Sequence, residues 1–270
     1  MPEALAPRRS LRGRFPFRLG TTSYIIPAEV LPNAEFLAGL VDDIELVLFE
    51  SQEVSNLPDD RTVAKLRELA EAKALSYTVH LPLDIRLGDP DEAVRRRSVE
   101  KCLSTAERMR PLAPLAHVIH FDWDGRGGLP ADLSGWRGRL SRSVGELLAS
   151  GLQAGSLCVE ALSYPFELVE PVVLERNLAV CMDVGHLLLA GHSPEAFLER
   201  HLERCRVAHL HGILNGRDHC DLAGLADGLL SRLVARLASG AGARDRVVTI
   251  EVFSLADLEK SLAVMQGLAR

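Results

Sequence analysis

No run of apolar residues in this 270-residue chain approaches the roughly 18 that a membrane-spanning helix needs, so no span is expected. Paired cysteine motifs are missing too. The five cysteines, Cys102, Cys158, Cys181, Cys205 and Cys220, are scattered, odd in number and without CxxC spacing. That distribution argues against a disulfide framework and for free thiols in a reducing compartment. The opening MPEALAPRRSLRGRFPF carries charge and proline but lacks the apolar stretch of a secretory signal, and the expected location is the cytoplasm. Positive charge is in deficit: 31 Lys and Arg against 37 Asp and Glu give a formal net charge of −6. General attraction to nucleic acid or to an anionic membrane is therefore not expected. There is no low-complexity segment. The Gly-rich pieces GRGG (125–128) and SGAGAR (239–244) lack the strand-to-helix setting of a phosphate cradle. No feature sets an oligomeric state.

What is present is ample core material, 47% hydrophobic residues, in a length close to the roughly 250 residues of one (β/α)8 barrel. Residues 1–16 read as a flexible N-terminal arm and 17–270 as one catalytic domain. There the pattern alternates between short apolar runs and amphipathic stretches, as in repeated βα units. Strands are expected near 18–24, 43–50, 76–82, 117–123, 157–162, 178–184, 207–213 and 247–253. Helices are expected near 61–74, 91–111, 134–150, 194–202, 225–238 and 255–268. Their N-caps are read as Asp59 or Asp60, Asp89 before Pro90, Ser193 before Pro194, and Ser254. Strand number and length favour a single-domain α/β (β/α)8 TIM barrel over an open doubly wound sheet. The stretch after the first strand, with Tyr24, Ile25, Ile26, Val30 and Leu31, reads as an apolar loop that packs on a bulky substrate or caps the barrel.

The chemistry gathers where the apolar runs end. Glu50 closes DIELVLFE, His80 closes LSYTVH, His120 closes HVIH, and Glu160 closes LCVE. Asp183 and His186 follow LAVCM, His209 and His211 sit in VAHLH, and Glu251 closes VVTIE. In a parallel barrel these carboxyl ends share one mouth. Asp183-Val-Gly-His186 offers oxygen and imidazole donors in a tight turn, a set that suits zinc, manganese or iron(II); a capping Asp beside a packed His is the plainer reading. Glu160, unpaired, is costly to bury. A cation or a basic partner relieves it, and a Glu bridging two metals is a common solution. A lone His80 or His120 is more often a core residue than a ligand, but two at equivalent strand ends beside Glu160 reverse that. One of His209 and His211 is expected to ligate, the other to bind substrate or support the fold, and RDHCD adds Asp218, His219 and Asp221. Glu50 is expected to orient a histidine or to pair with Arg61. His117, His192 and His201 fall outside the ring and read as structural or exposed.

The pattern His80, His120, Glu160, Asp183-x-x-His186, His209, His219 and Glu251 resembles the xylose-isomerase-like barrel superfamily, in particular its endonuclease IV branch, over nearly all of the chain from residue 18. The resemblance implies metal ligands at His80, His120, Glu160, Asp183, His186, His209, His219 and Glu251, with Glu160 as the bridging carboxylate. It implies two divalent ions, zinc or manganese, or three. HLHGILNGRDHCDLAG resembles the branch's HLND…DxHxxLGEG stretch, with Arg217 where a carboxylate is usual, Asp218 one place on, and AGL for the GEG ending. Both departures bear on the third metal. The opening GTTSYIIPAEVLPNAEFLAGLVDDIELVLFES is similar to the cobamide-remodelling phosphodiesterases, which cleave the nucleotide loop of cobamides so that the lower ligand can be replaced.

The resemblance therefore implies a metal-dependent phosphodiesterase acting on a corrinoid, with Glu160, Asp183 and Glu251 at the reacting centre. Tyr24, His211 and Asp218 are the expected substrate contacts. Three rivals are a sugar isomerase or epimerase with Glu160 and Glu251 as acid and base, a DNA-repair endonuclease acting at abasic sites, and a non-catalytic corrinoid-binding protein. The surplus of histidines counts against the first, the lack of a basic stripe against the second, and the full ligand set against the third.

Overall fold

The computed structural model describes residues 10–50, 55–122, 130–226 and 228–269. Eight strands close a barrel: β1 (Arg18–Thr22), β2 (Asp43–Val47), β3 (Ser76–His80), β4 (His117–Ile119), β5 (Leu157–Glu160), β6 (Ala179–Asp183), β7 (Cys205–Leu210) and β10 (Val247–Ile250). Every pairing is parallel, and β1 bonds to both β10 and β2, so the sheet has no edge and the open alternative does not hold. Helices cover one face of each strand and the barrel interior covers the other. That two-sided burial is why the strands read as continuous apolar runs. Two further strands, β8 (Gly212–Leu214) and β9 (Arg217–Cys220), form an antiparallel hairpin after β7.

Nine helices are seen among the described residues: α1 (Val30–Leu37), α2 (Asp60–Lys73), α3 (Glu92–Met109), α4 (Leu133–Ala149), α5 (Glu170–Glu175), α6 (Val184–Leu189), α7 (Pro194–His201), α8 (Leu229–Leu237) and α9 (Leu255–Gln266). Asp59, Ser193 and Ser254 cap as expected, each side chain accepting a backbone N–H of the first turn. The α3 cap is Asp91, not Asp89; the Asp89 carboxylate accepts the Asp91 amide one step earlier.

The expected mouth loop is partly helix. α1 begins at Val30, and the buried Asn33 ties the preceding turn by accepting from Ile25 and Ile26 and donating to Ile26, Ala28 and Glu29. Ile25 and Val30 belong to the core, which leaves Tyr24, Ile26 and Leu31 only partly exposed. The described end of the expected N-terminal arm is docked: Leu11 is buried, and the Arg12 guanidinium donates to the Ala38, Lys73 and Ala74 carbonyls. Residues 1–9, and GRGG within 123–129, lie outside the described residues. Short helices α5 and α6 escaped the periodicity reading because six residues complete too few turns to display a stripe.

The barrel interior has two unlike halves. Small apolar side chains, Ala116, Val118, Cys158, Ala179, Cys181 and Val207, pack together on the β4–β7 side. On the β10–β1–β2–β3 side the inward positions are polar or bare: Thr249, Gly20, Asp43, Glu45 and Thr78. All five cysteines are free and buried.

Candidate metal centre

Glu160 is the hub of the barrel mouth. It ends β5, is fully buried, and meets three imidazoles. Its Oε2 lies 3.2 Å from His80 Nε2 and 2.8 Å from His120 Nε2, and its Oε1 lies 3.2 Å from His209 Nδ1. The far nitrogen of each ring is tied to an acceptor. His80 Nδ1–H donates to the Leu81 carbonyl at 2.9 Å. His120 Nδ1 faces the Asp122 carboxylate at 3.4 Å, and His209 Nε2–H donates to Glu45 Oε2 at 2.9 Å. With those protons spent, each ring turns a lone pair toward an oxygen that also offers only lone pairs. Such pairs repel unless a proton or a cation lies between them.

Asp183 serves two purposes. As the N-cap of α6 its Oδ1 accepts the His186 amide at 2.6 Å, which is why Asp-Val-Gly-His turns so tightly. Its carboxylate also lies 3.1 and 3.2 Å from His211 Nε2, and 3.7 Å from His209 Nδ1. Glu251, just beyond β10, brings Oε2 to 3.3 Å from His209 Nδ1 and 3.7 Å from His219 Nδ1. Gly185 is required here, because a Cβ would stand 1.9 Å from the His211 ring.

Three groups of donor atoms result, each with its atoms within 4.8 Å of one another: His80, His120 and Glu160; Glu160, Asp183, His209 and Glu251; and His186, His211 and His219. A fourth combination, Glu160, Cys181 and His209, brings in a thiol from below. In the third group His211 is not a free donor. Its Nδ1 accepts the His219 amide at 2.9 Å while its Nε2–H donates to Asp183. It is wholly buried, so the expected substrate contact is instead a strut. Asp218 lies beside this group, with Oδ2 3.9 Å from His186 Nε2 and 3.8 Å from His219 Nε2.

Charge follows from these contacts. Burial alone would raise Glu160, but the His120 and His209 imidazoles outweigh it and hold the carboxyl well below its usual range. Burial alone would lower His120; Glu160 and Asp122 lift it to about 10. Asp183 is held low against burial by its bonds to His209 and His211. Glu160 and Asp183 are therefore held as carboxylates, and the carboxylates around His120, His209 and His211 hold those three rings above the usual imidazole range against the effect of burial.

Of the expected residues, the structure brings together His80, His120, Glu160, Asp183, His186, His209, His219 and Glu251, with Asp218 alongside. Tyr24 sits beyond the end of β1, edge-on to Phe49, its hydroxyl accepting from Asn56. Glu50 does not join. β2 ends at Val47, three residues short of it, and its carboxylate accepts the Ser55 hydroxyl at 2.7 Å. No histidine among the described residues lies within ion-pair reach of it. The β2 carboxylate that orients a ring is Glu45, inside the strand. Its signal was parity: Asp43 and Glu45 alternate with Ile44 and Leu46, so they share the inward face. His117 and His201 lie outside the centre, as expected. His117 is buried on the outer side of the barrel, where loss of solvent pushes it down to about 4. His201 packs against Phe166 and Phe197.

Donors from six strand ends around one mouth agree with a sequence profile matched over residues 38–266. The chain belongs to the xylose isomerase-like TIM barrel family. Among solved structures this xylose isomerase-like barrel is similar to a D-tagatose 3-epimerase-like protein, with TM-score 0.73 at 20% identity over 93% of this chain and 97% of that one. Endonuclease IV from Thermus thermophilus superposes with TM-score 0.68 at 21% identity, over 93% and 98% of the two chains. Another Thermus thermophilus protein, soaked with zinc chloride, superposes with TM-score 0.65 at 23% identity, over 94% and 97%. At such identities the likeness is one of fold. Comparison with curated proteins gives no match. No helix among the described residues is long and apolar enough to cross a membrane.

The donor set fits divalent cations. Glu251 Oε2 of the second group and His186 Nδ1 and His219 Nδ1 of the third are buried without hydrogen-bond partners among the described residues. Mixed imidazole and carboxylate donors are what zinc and manganese take.

Proposed function

We propose that the chain is a metal-dependent phosphodiesterase that cleaves the nucleotide loop of cobamides. One observation carries the reading: the two oxygens of Glu160 are divided between two histidine groups, Oε2 to His80 and His120 and Oε1 to His209. A carboxylate shared in this way suits a pair of cations, and a pair suits transfer at phosphorus more than enolisation of a sugar. His80, His120 and Glu160 would hold one ion; Glu160, Asp183, His209 and Glu251 would hold a second; His186, His219 and Asp218 are the donors for a third. Such ions, when bound, supply a nucleophile at neutral pH and offset charge on phosphoryl oxygens. Glu45 keeps His209 in the tautomer that presents Nδ1, and Asp122 and the Leu81 carbonyl do the same for His120 and His80.

The corrinoid as substrate is supported by the likeness of residues 20–51 to the cobamide-remodelling enzymes and by the acidic net charge. Exposed Leu83, Leu214 and Phe253, all on segments that follow barrel strands, add apolar surface around the mouth. The test is mass spectrometry of a coenzyme-form cobamide incubated with manganese- or zinc-loaded protein. Loss of the nucleotide loop is expected, with turnover down by more than about 100-fold in Glu160→Ala. Unchanged turnover in that variant would remove the role given to Glu160.

A sugar epimerase is the second reading, favoured by the D-tagatose 3-epimerase-like neighbour and by Glu160 and Glu251 lying 3.2 and 3.3 Å from the same His209 nitrogen. Elemental analysis separates the two: one ion per chain favours the epimerase, two or three the phosphodiesterase.

A further inference from the structure

Four fully buried oxygens inside the barrel have no hydrogen-bond partner among the described residues: Asp43 Oδ1, Glu45 Oε1, Thr78 Oγ1 and Thr249 Oγ1. They belong to one region. In the parallel register Thr249 is level with Gly20 and Gly20 with Asp43, while Thr22, Glu45 and Thr78 form the next level up. Glu45 reaches across the barrel to His209, so its side chain points inward. Asp43, two residues before it, shares that face, and strand neighbours at one level point to the same side. Between Thr249 and Asp43 the inward position is Gly20, which contributes no side chain and no hydrogen-bonding group of its own. Burial raises Asp43 to about 7; the Ser76 and Thr78 hydroxyls and the Arg18 charge pull it down, and the Glu45 carboxylate pushes it up, which places all four near it.

Protein alone does not satisfy this group. Ser76 donates to Asp43 Oδ2 and His209 to Glu45 Oε2, leaving the second oxygen of each carboxylate facing the interior. The opposite wall is the apolar set around Val118 and Cys181, whose side chains offer no donor stronger than the weak thiols of Cys158 and Cys181. A buried oxygen in that position needs a donor.

We propose that this half of the barrel holds a small buried water cluster that bridges Asp43, Thr78, Thr249 and the free oxygen of Glu45, and so positions His209 from below. Water matches the inventory. One molecule donates two protons, as two carboxylate oxygens require, and accepts from threonine hydroxyls, making about three bonds in all. The cluster acts on the metal centre only through Glu45. Its effect on metal binding therefore rests on the reading of that centre, while its presence does not.

The experiment pairs crystal structures with zinc affinity measured by chelator competition for wild type, Thr78→Val, Thr78→Ser and Thr249→Val. In wild type, ordered solvent is expected within hydrogen-bond distance of Asp43 Oδ1 and at least one threonine hydroxyl. It should persist in Thr78→Ser and be lost or displaced in either valine variant. Zinc binding should weaken by up to about tenfold in Thr78→Val and recover in Thr78→Ser. If Thr78→Val does not fold, Thr249→Val carries the same readouts. A dry interior in wild type overturns the proposal. So does a melting temperature that differs between sodium, potassium and choline chloride at equal ionic strength, which would mean a bound cation in place of water. A wild-type protein that shows the solvent but binds no zinc would refute the metal centre and leave the cluster standing.

Discussion

Glu45 and Glu50 are two carboxylates of one segment, and only Glu45 touches the centre. A carboxylate behind a ligating imidazole fixes its tautomer and raises its basicity, and its loss commonly weakens metal binding by about 10–100-fold. Glu45→Gln should therefore weaken zinc binding by that order, while Glu50→Gln, whose wild-type carboxylate accepts from the Ser55 hydroxyl, should stay within about twofold. Competition with a chromophoric chelator measures both, and equal affinities in the two variants would contradict the assignment. The strand-end rule found Glu160, Asp183 and Glu251 because their strands stop where the apolar run stops. It picked Glu50 wrongly because Leu48 and Phe49 prolong the apolar run past the real end of β2 at Val47. Glu45 could be suspected from alternation alone. Its partner His209 lies 164 residues away, and only barrel closure brings the two together.

The β8–β9 hairpin is the element on which the third group depends. Asn215 and Gly216 have φ of 53° and 76°, and Leu214 pairs with Arg217, so the turn is the two-residue Asn-Gly type with left-handed backbone at both positions. Asn-Gly is a hairpin signal that the strand reading above passed over. The φ of 50° at His219 has no such signal in the sequence. Successive side chains on a strand normally face opposite ways. The left-handed residue breaks that alternation, and consecutive Asp218 and His219 both approach His186. This is how a carboxylate one place later than the family pattern still reaches the group. Gly216→Val would force a β-branched residue into left-handed backbone, at a local cost of roughly 1–2 kcal/mol or more. The hairpin lies outside the barrel ladder, so the melting temperature should fall by only a few degrees. Elemental analysis should find one fewer ion per chain than in wild type. Retention of the full complement would detach the hairpin from metal binding.

At the scale of the whole molecule, a parallel barrel turns the phrase "end of a strand" into a single place. His80, His120, Glu160, Asp183, His209 and Glu251 come from six strands or their ends, and their convergence follows once the barrel closes. The same closure makes the centre a stability problem, because Glu45, Glu160, Asp183 and Glu251 are all buried. Imidazolium protons offset that charge only partly, and their burial is itself costly. Cations that bind the folded chain and not the unfolded one stabilise it by RT ln(1 + [L]/Kd), about 4 kcal/mol at a thousandfold excess over Kd. In a domain of this size each kcal/mol moves the melting temperature by roughly 2–4 °C. Zinc should therefore raise the melting temperature of chelator-treated protein by about 8–16 °C at neutral pH. The sign of the pH effect is set by the imidazoles, which must be neutral to bind a metal, so the gain should shrink as the solution is acidified. Glu160→Gln, which removes the charge shared by both groups, should lose most of the gain while its metal-free form melts no lower than the metal-free wild type. Differential scanning calorimetry with and without zinc, at neutral and mildly acidic pH, measures all of these. A melting temperature indifferent to zinc at neutral pH would show that protons alone satisfy the cluster.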